Sequence, residues 1–134
     1  MMSEVFKLEI VNPEKSFLSI DKVSEVVIPA FEGEMGILKD HIPIISFLKP
    51  GLVKVFESGS NKETYYVEDG IIEFKNNCLS ILTSKIFDIK KIDKNIVRED
   101  LTKAEKDTKN NDISDQKKYL LDQKIEVLKS LTLN

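Results

Sequence analysis

Glycine and proline are confined to the first part of this chain of 134 residues. All five glycines and all four prolines lie at or before Gly70. Both residue types interrupt helices and mark tight turns, so the first part is unsuited to long helices and the remainder is not. The sequence therefore predicts an all-β domain in residues 1–87 and a domain of two helices in residues 88–134.

Short apolar segments separated by turn residues predict the strands of the first domain. Phe6, Leu8 and Ile10 alternate with charged residues, and this period of two is that of a half-buried strand. The remaining predicted strands are Ser16–Ile20, Val23–Pro29, Ile44–Leu48, Leu52–Glu57, Glu63–Val67, Ile71–Lys75 and Cys78–Thr83. A total of about eight to ten short strands is typical of a β-sandwich or a β-barrel.

Three connections between strands have the composition of hairpin turns. Asp69-Gly70 favours a type I′ turn, in which both central residues take positive φ. Asn76-Asn77 is predicted to turn the chain within the last β-meander, and Ser58–Asn61 is predicted to be a polar hairpin loop. The strands on either side of each connection are therefore expected to pair.

Two amphipathic helices are predicted after residue 88. The apolar stripe of the first is thin and consists of Val97, Leu101, Ala104 and Thr108. The apolar face of the second comprises Ile113, Leu120, Leu121, Ile125, Leu128 and Leu131. Asp93 is the candidate N-cap of the first helix, and Asp112 or Ser114 that of the second. Because the first helix has little to bury, the hairpin needs a surface to lie on, either the β domain or another protein.

Composition argues against several classes of function. The net charge is −3 with both signs interspersed, so no basic face predicts nucleic-acid binding. The longest apolar segment, Ile42–Leu48, is too short for a membrane helix, and the N-terminus does not have the pattern of a signal peptide. The single cysteine, Cys78, excludes an internal disulfide and is expected to be a buried thiol.

The stretch Glu32–Gly51 contains three of the five glycines and the only histidine. Gly33 and Gly36 predict an ordered turn that presents the carboxylates of Glu32 and Glu34 to a partner. His41 has no serine, cysteine or second histidine at a mechanistic spacing, and we expect it to make a local hydrogen bond. No catalytic residue and no metal ligand is predicted.

The same stretch resembles the epsilon subunit family of the bacterial F-type ATP synthase, which includes the mitochondrial delta subunit. The matching positions are Glu32, Gly33, Glu34, Gly36, Ile37, His41, Pro43, Lys49, Pro50 and Gly51. A weaker similarity lies in Tyr65–Phe74. The resemblance implies a β-sandwich followed by a helical hairpin over essentially the whole chain, in agreement with the elements predicted above.

The family also implies partners and a role. The sandwich would bind the gamma subunit and the c-ring, at the cytoplasmic face of the bacterial inner membrane and attached to it only through the complex. The contact residues would be Glu32, Gly33, Glu34, Gly36, His41 and Pro43. The hairpin would be a regulatory arm, which permits ATP hydrolysis when folded and blocks it when extended along gamma. The lysines Lys103, Lys106, Lys109, Lys117, Lys118 and Lys124 either form a solvated helix face or meet the alpha and beta subunits in the extended state.

Some members of the family bind ATP through an Ile/Leu-Asp-x-x-Arg-Ala motif at the start of the first helix. Here Ile96 and Val97 replace the arginine and the alanine, so we expect no specific ATP binding and no other cofactor.

Two alternatives to this function remain open. One is a stand-alone β-sandwich binding module that dimerises through its helices. The other is a small enzyme, which would need a deep pocket containing His41 and a carboxylate of perturbed pKa.

Overall fold

The computed structural model describes residues 4–13, 15–57 and 62–133. Within these ranges the chain forms nine strands followed by two helices, which confirms the predicted all-β domain and helical hairpin. The strands are β1 (Phe6–Asn12), β2 (Lys15–Ala30), β3 (Gly33–Ile37), β4 (Ile44–Leu48), β5 (Gly51–Glu57), β6 (Lys62–Val67), β7 (Gly70–Lys75), β8 (Cys78–Leu82) and β9 (Ile86–Asp88). A 3₁₀ turn (Ile89–Lys91) leads to α1 (Lys94–Asp107) and α2 (Asp115–Thr132).

The strands form the two layers of a sandwich, in the order β1-β8-β7-β4-β2-β5-β6-β9. Strand β2 belongs to both layers, because it pairs with β1 from Lys15 to Val23 and with β3 and β5 from Val23 to Ala30. The β1–β8 pair is parallel and the other pairs are antiparallel. The long strand β2 thus joins the two layers through continuous backbone.

The prediction of two strands in the β2 region was wrong. The segments Ser16–Ile20 and Val23–Pro29 are parts of one strand. No glycine or proline lies between them to break the strand, and a register shift against β5 between Val23 and Glu25 lets the chain bend while it stays paired.

The predicted hairpin at Asp69-Gly70 was also wrong. Strand β6 pairs with β5 and β9, whereas β7 pairs with β4 and β8, so the chain crosses here from one layer to the other. Only Gly70 of the two residues has positive φ (152°). The Asp69 carboxylate instead accepts hydrogen bonds from the backbone N–H (3.2 Å) and the hydroxyl (2.8 Å) of Ser84.

The turn with positive φ at both central residues lies at Asn76-Asn77, where φ is 50° and 54°. It joins β7 to β8 as an antiparallel hairpin, as predicted. Strands β5 and β6 also pair as expected, although the predicted loop Ser58–Asn61 lies outside the described residues. Cys78, expected to be buried, is half-buried at the start of β8.

The apolar core of the sandwich is built by the inward-facing residues of the strands. Phe6, Leu8 and Ile10 of β1 are all buried, and the Phe6 ring meets the edge of Phe74 with centroids 5.5 Å apart. This core extends to Ile86 of β9 and contains no residue of either helix. The sandwich therefore closes its own core without the helices.

The two helices, which together we call the arm, begin at capping residues. The Asp93 carboxylate accepts from the Asn95 N–H, and the Ser114 hydroxyl accepts from the Lys117 N–H. Ser114 is thus the cap of α2, and Ile113, predicted on its apolar face, precedes the helix. Val97 and Ala104 of α1 are buried as the apolar stripe predicted.

Two glycines with positive φ provide a matched test of how the strands pack. A Cβ on Gly70 would lie 2.7 Å from the Leu82 carbonyl oxygen, whereas a Cβ on Gly33 (φ 143°) would meet nothing within 4 Å. We expect Gly33→Ala to lower the free energy of unfolding by about 1–2 kcal/mol through backbone strain alone. Gly70→Ala adds a clash with backbone and should cost about 3 kcal/mol or more. Denaturant unfolding measures both values, and equal losses would contradict the packing described here.

Candidate functional site

The acidic stretch is part of a β-hairpin. Its first residue, Glu32, lies in the turn after β2, and Gly33–Ile37, predicted to be part of an ordered turn, form β3 against Val26–Ala30. Glu32 and Glu34 are exposed, and the contact of their carboxylates with a partner stays a prediction. Glu32 accepts a hydrogen bond from the Ser46 hydroxyl at 3.4 Å, and Glu34 lies 4.0 Å from the Lys54 ammonium.

The glycines and the histidine of this stretch have separate structural roles. Gly33 takes positive φ, and Gly36 leaves room for the side chain of Glu25, whose Oε2 would lie 3.0 Å from an added Cβ. His41 donates from Nδ1 to the Ile42 carbonyl at 2.7 Å, which is the local hydrogen bond expected from the sequence. Its ring lies against Phe74 of β7, with centroids 5.9 Å apart.

The six predicted contact residues therefore fall on two elements. Glu32, Gly33, Glu34 and Gly36 lie on the β2–β3 hairpin, and His41 and Pro43 lie on the loop between β3 and β4. This loop is fixed to the β7–β8 turn, because the Asp40 N–H donates to the Asn77 side chain at 2.7 Å and the Asn77 amide donates to the Asp40 carboxylate at 2.9 Å.

A second surface was not predicted. The outer side of β4, β7 and β8 carries four exposed apolar side chains, which we call the apolar face: Ile45 (70% exposed), Phe47 (59%), Ile71 (42%) and Leu82 (49%). Phe47 lies opposite Ile71, and Ile71 lies opposite Leu82, so three of the four form one row across three strands. The signal was present in β4, whose sequence IISFL has apolar residues on both sides of the strand instead of on one.

An open groove of about 780 Å³ separates the apolar face from the start of α2. Its apolar walls include Phe47, Ile71 and Leu120. Its acidic residues are Glu32, Glu68 and Asp69, and no lysine or arginine of the described ranges lines it. The groove connects the apolar face, the acidic hairpin and the arm.

The arm packs on the sandwich through an apolar cluster of its own. Tyr66 of β6, Val97 of α1 and Leu128 of α2 are buried at its centre, and Leu52, Leu101 and Leu131 are among the residues around it. Nearer the start of α2, the Tyr119 ring lies 6.2 Å from the Phe31 ring, and its hydroxyl is 3.5 Å from the Lys49 ammonium.

The predicted lysines of the arm are not equivalent. Lys124 pairs with Glu68 of the sandwich at 2.9 Å and faces the seam between arm and sandwich. The other five are exposed and form no ion pair within the described part of the chain: Lys103, Lys106, Lys109, Lys117 and Lys118. Of these six lysines, Lys124 is therefore the one that does not lie on a solvated helix face.

The segment predicted to lack ATP binding borders a small cavity of about 180 Å³ between α1, α2 and β6. Most of its wall is apolar, and the side chains of Ile96, Val97 and Leu128 contribute to it. Among the residues that the structure describes, Lys91 is the one cation that lines it. Arg98 points its guanidinium toward Asn95, to which it donates at 3.3 Å.

Burial raises the pKa of the Tyr66 phenol well above its usual value of 10.0, with the nearby charge of Glu68 as the next cause. The phenol donates a hydrogen bond to the Glu68 carboxylate at 3.1 Å. Burial also raises the pKa of the Tyr65 phenol, and the charge of Asp88 is the second cause. Both phenols therefore stay neutral to a higher pH than an exposed tyrosine does.

Two other features bear on the class of protein. Within the described ranges, no three His, Cys, Asp or Glu side chains are grouped so that they could hold a metal ion. Over the same ranges, neither helix is long and apolar enough to cross a membrane.

Comparison with known proteins gives a family match and full-length relatives. Residues 5–89 match the family described as ATP synthase, Delta/Epsilon chain, beta-sandwich domain. The chain is 71% identical over 130 residues to the ATP synthase epsilon chain of Pelagibacter ubique, which covers 97% of this chain and 99% of the relative.

Solved structures share the fold at lower identity. A chain of the Euglena gracilis mitochondrial ATP synthase (OSCP/F1/c-ring) aligns with a TM-score of 0.76 at 20% identity, covering 98% of this chain and 81% of that one. A chain of the Tetrahymena thermophila mitochondrial ATP synthase (central stalk/c-ring) aligns with a TM-score of 0.67 at 18% identity, covering 98% and 99%. The sandwich and the arm therefore occur together in both.

The raised pKa of Tyr66 predicts how stability responds to alkali. Above pH 10 the phenol ionises in the unfolded chain but stays protonated in the folded one, so the folded state binds more protons and stability falls as pH rises. The loss is up to about 1.4 kcal/mol per pH unit for this group, until the pH reaches its pKa in the folded state.

Tyr66→Phe should make the decline of unfolding free energy between pH 10 and 11.5 less steep. Tyr119→Phe, which removes an exposed phenol, is the control, and equal slopes for Tyr66→Phe and the unaltered chain would contradict the burial of this group.

Proposed function

We propose, because this chain belongs to the ATP synthase delta/epsilon family, that it is a non-catalytic rotor subunit of an F-type ATP synthase. The observation that carries the proposal is the 71% identity to an ATP synthase epsilon chain over nearly the whole length of both proteins. The match includes the arm as well as the sandwich. The subunit couples rotation between the c-ring and the catalytic head, where the alpha and beta subunits carry out the chemistry.

The apolar face is the surface we assign to the gamma subunit. Four large apolar side chains on adjacent strands are unusual for a surface that stays in water, and contiguous exposed patches of this kind mark interfaces. The neighbouring loop with His41 and Pro43 would extend the same contact, because it is fixed to the β7–β8 turn beside that face.

The acidic hairpin is the surface we assign to the c-ring. Glu34 is 67% exposed, and at 4.0 Å its pairing with Lys54 is weak, so the carboxylate is available to polar loops of a partner. Gly33 and Gly36 give the hairpin its shape, and Glu32 lies at its turn. Through these contacts the subunit would be a peripheral component at the cytoplasmic face of the bacterial inner membrane.

The arm is assigned a regulatory role. The helices pack on the sandwich without entering its core, so they can leave it without unfolding it. The docked arm would permit ATP hydrolysis, and an arm extended along gamma would block it. In the extended state the exposed lysines would meet the alpha and beta subunits. A ligand or a rotor position shifts this equilibrium only by its different affinity for the two states.

ATP is not expected to stabilise the docked arm. Ile96 and Val97 stand where nucleotide-binding members of the family have arginine and alanine, and the adjoining cavity has a mostly apolar wall. Arg98 is turned toward Asn95 and does not replace the missing cation. No other cofactor is proposed.

The stand-alone module that dimerises through its helices is the weaker alternative. The apolar residues of α2 that would form such a dimer, Leu128 above all, are already packed against the sandwich. A dimer would therefore have to displace contacts within the chain.

The assignment to gamma predicts the effect of one charge on the apolar face. Phe47→Asp should weaken binding to the gamma subunit of the same organism at least tenfold, because it buries a carboxylate in an apolar interface, where the loss of a central contact costs about 2 kcal/mol or more. Leu133→Asp makes the same kind of change at a leucine that is 82% exposed at the end of the docked arm, and it should weaken binding much less than Phe47→Asp does.

Affinities of purified, folded variants for gamma can be compared by calorimetry. Gamma binding by Phe47→Asp as tight as by the unaltered chain would remove the apolar face from the interface. Failure of the unaltered chain to bind gamma at all would refute the rotor assignment.

A further inference from the structure

Three donors converge on one carboxylate where the arm meets the sandwich. Glu68 lies between β6 and β7, and its Oε1 accepts from the Tyr66 phenol at 3.1 Å. The ammonium groups of Lys85 and Lys124 lie 3.4 Å and 2.9 Å from the same oxygen. Tyr66 and Lys85 belong to the sandwich, whereas Lys124 belongs to α2.

The same network reaches the other helix of the arm. The Lys85 ammonium, already beside Glu68, lies 3.7 Å from Oδ2 of Asp100 on α1. The charges therefore alternate in the order Lys124, Glu68, Lys85, Asp100. We call these four residues the Glu68 cluster. Its two outer members lie on different helices of the arm, and its two inner members lie on the sandwich.

Pair by pair, the cluster is better shielded from water than the other ion pairs of the described residues. The side chains of Glu68, Lys124 and Asp100 are 20%, 21% and 29% exposed, and that of Lys85 is 37% exposed. By contrast, the side chains of the Lys7–Glu9 pair are 47% and 40% exposed. Isolated surface pairs contribute little, but shielded charges joined in a network and supported by a hydrogen bond contribute more.

We propose that the Glu68 cluster is the latch that holds both helices of the arm on the sandwich, and that Glu68 is its central residue. The apolar cluster around Tyr66 supplies contact area, and the ion pairs fix where the arm lies on that area. Lys124 ties α2 to Glu68, and Asp100 ties α1 to Lys85. Because α1 and α2 belong to one apolar cluster, loosening α2 at Glu68 weakens the hold on both helices.

The latch gives Lys124 two alternative partners. When the arm leaves the sandwich, Glu68 keeps its contacts with Lys85 and Tyr66, whereas Lys124 loses its carboxylate and joins the exposed lysines of the arm. An acidic surface on a neighbouring subunit then competes with Glu68 for Lys124. This regulatory meaning rests on the proposed function, but the latch itself can be tested without other subunits.

The test measures the position of the arm in the full-length chain. Spin labels at exposed Lys75 of β7 and Glu105 of α1, in a Cys78→Ser background, report the distance between sandwich and arm. Glu68→Gln should raise the ratio of undocked to docked arm about fivefold or more, since the loss of a shielded pair costs on the order of 1 kcal/mol. Lys124→Met should have a similar effect. The matched control is Lys117→Met, an exposed lysine of the same helix outside the cluster.

The double variant Glu68→Gln/Lys124→Met makes the test specific. If the two residues act through one contact, the double variant should undock the arm much less than the product of the two single effects. Independent effects, or single effects no larger than that of Lys117→Met, would overturn the latch.

ATP hydrolysis by the assembled complex separates the latch from the proposed function. Variants that undock the arm in the isolated chain and also slow hydrolysis support both the latch and the regulatory role of the arm. Undocking without a change in hydrolysis leaves the latch intact and contradicts the regulatory role of the arm. An arm that stays docked in Glu68→Gln contradicts the latch, whatever the hydrolysis rates are.

Discussion

The alternation of side chains along β6 decides how the arm and the sandwich fit together. Tyr65 and Val67 point into the sandwich core, so Tyr66 between them must point outward. A large aromatic ring in that position is buried only because the arm covers it. Val97 of α1 and Leu128 of α2 pack against it. The core of the sandwich is closed without the arm, whereas Tyr66 on the outer side of β6 would face water without it. The arm is thus held by a limited apolar contact and by the ion pairs around Glu68.

Much of the fold follows from sequence patterns, because local rules govern it. Alternating apolar residues gave the strands, and the helical caps at Asp93 and Ser114 were among the candidates. The errors arose where partners distant in sequence decide the outcome. Asp69-Gly70 resembles a hairpin turn, but Gly70 is needed because the Leu82 carbonyl leaves no room for a side chain. Strand β9 was missed because three residues carry too little periodicity.

The two candidate surfaces also differ in whether the sequence could predict them. The acidic hairpin was identified from its motif, since its glycines and carboxylates are adjacent in sequence. The apolar face was not, because Phe47, Ile71 and Leu82 come from three strands and become neighbours only through sheet register. The role of Lys124 was likewise hidden, since nothing in the sequence distinguishes it from the lysines that remain in solvent. Its partner, Glu68, lies far from it along the chain.

In the proposed function, the arm and not the sandwich controls ATP hydrolysis. The most direct measurement compares complexes assembled with the full-length chain and with a chain that ends at Lys91, which keeps β9 and removes both helices. We predict that both chains assemble and support ATP synthesis equally, and that hydrolysis is faster with the shortened chain. Equal hydrolysis rates in the two assembled complexes would contradict it.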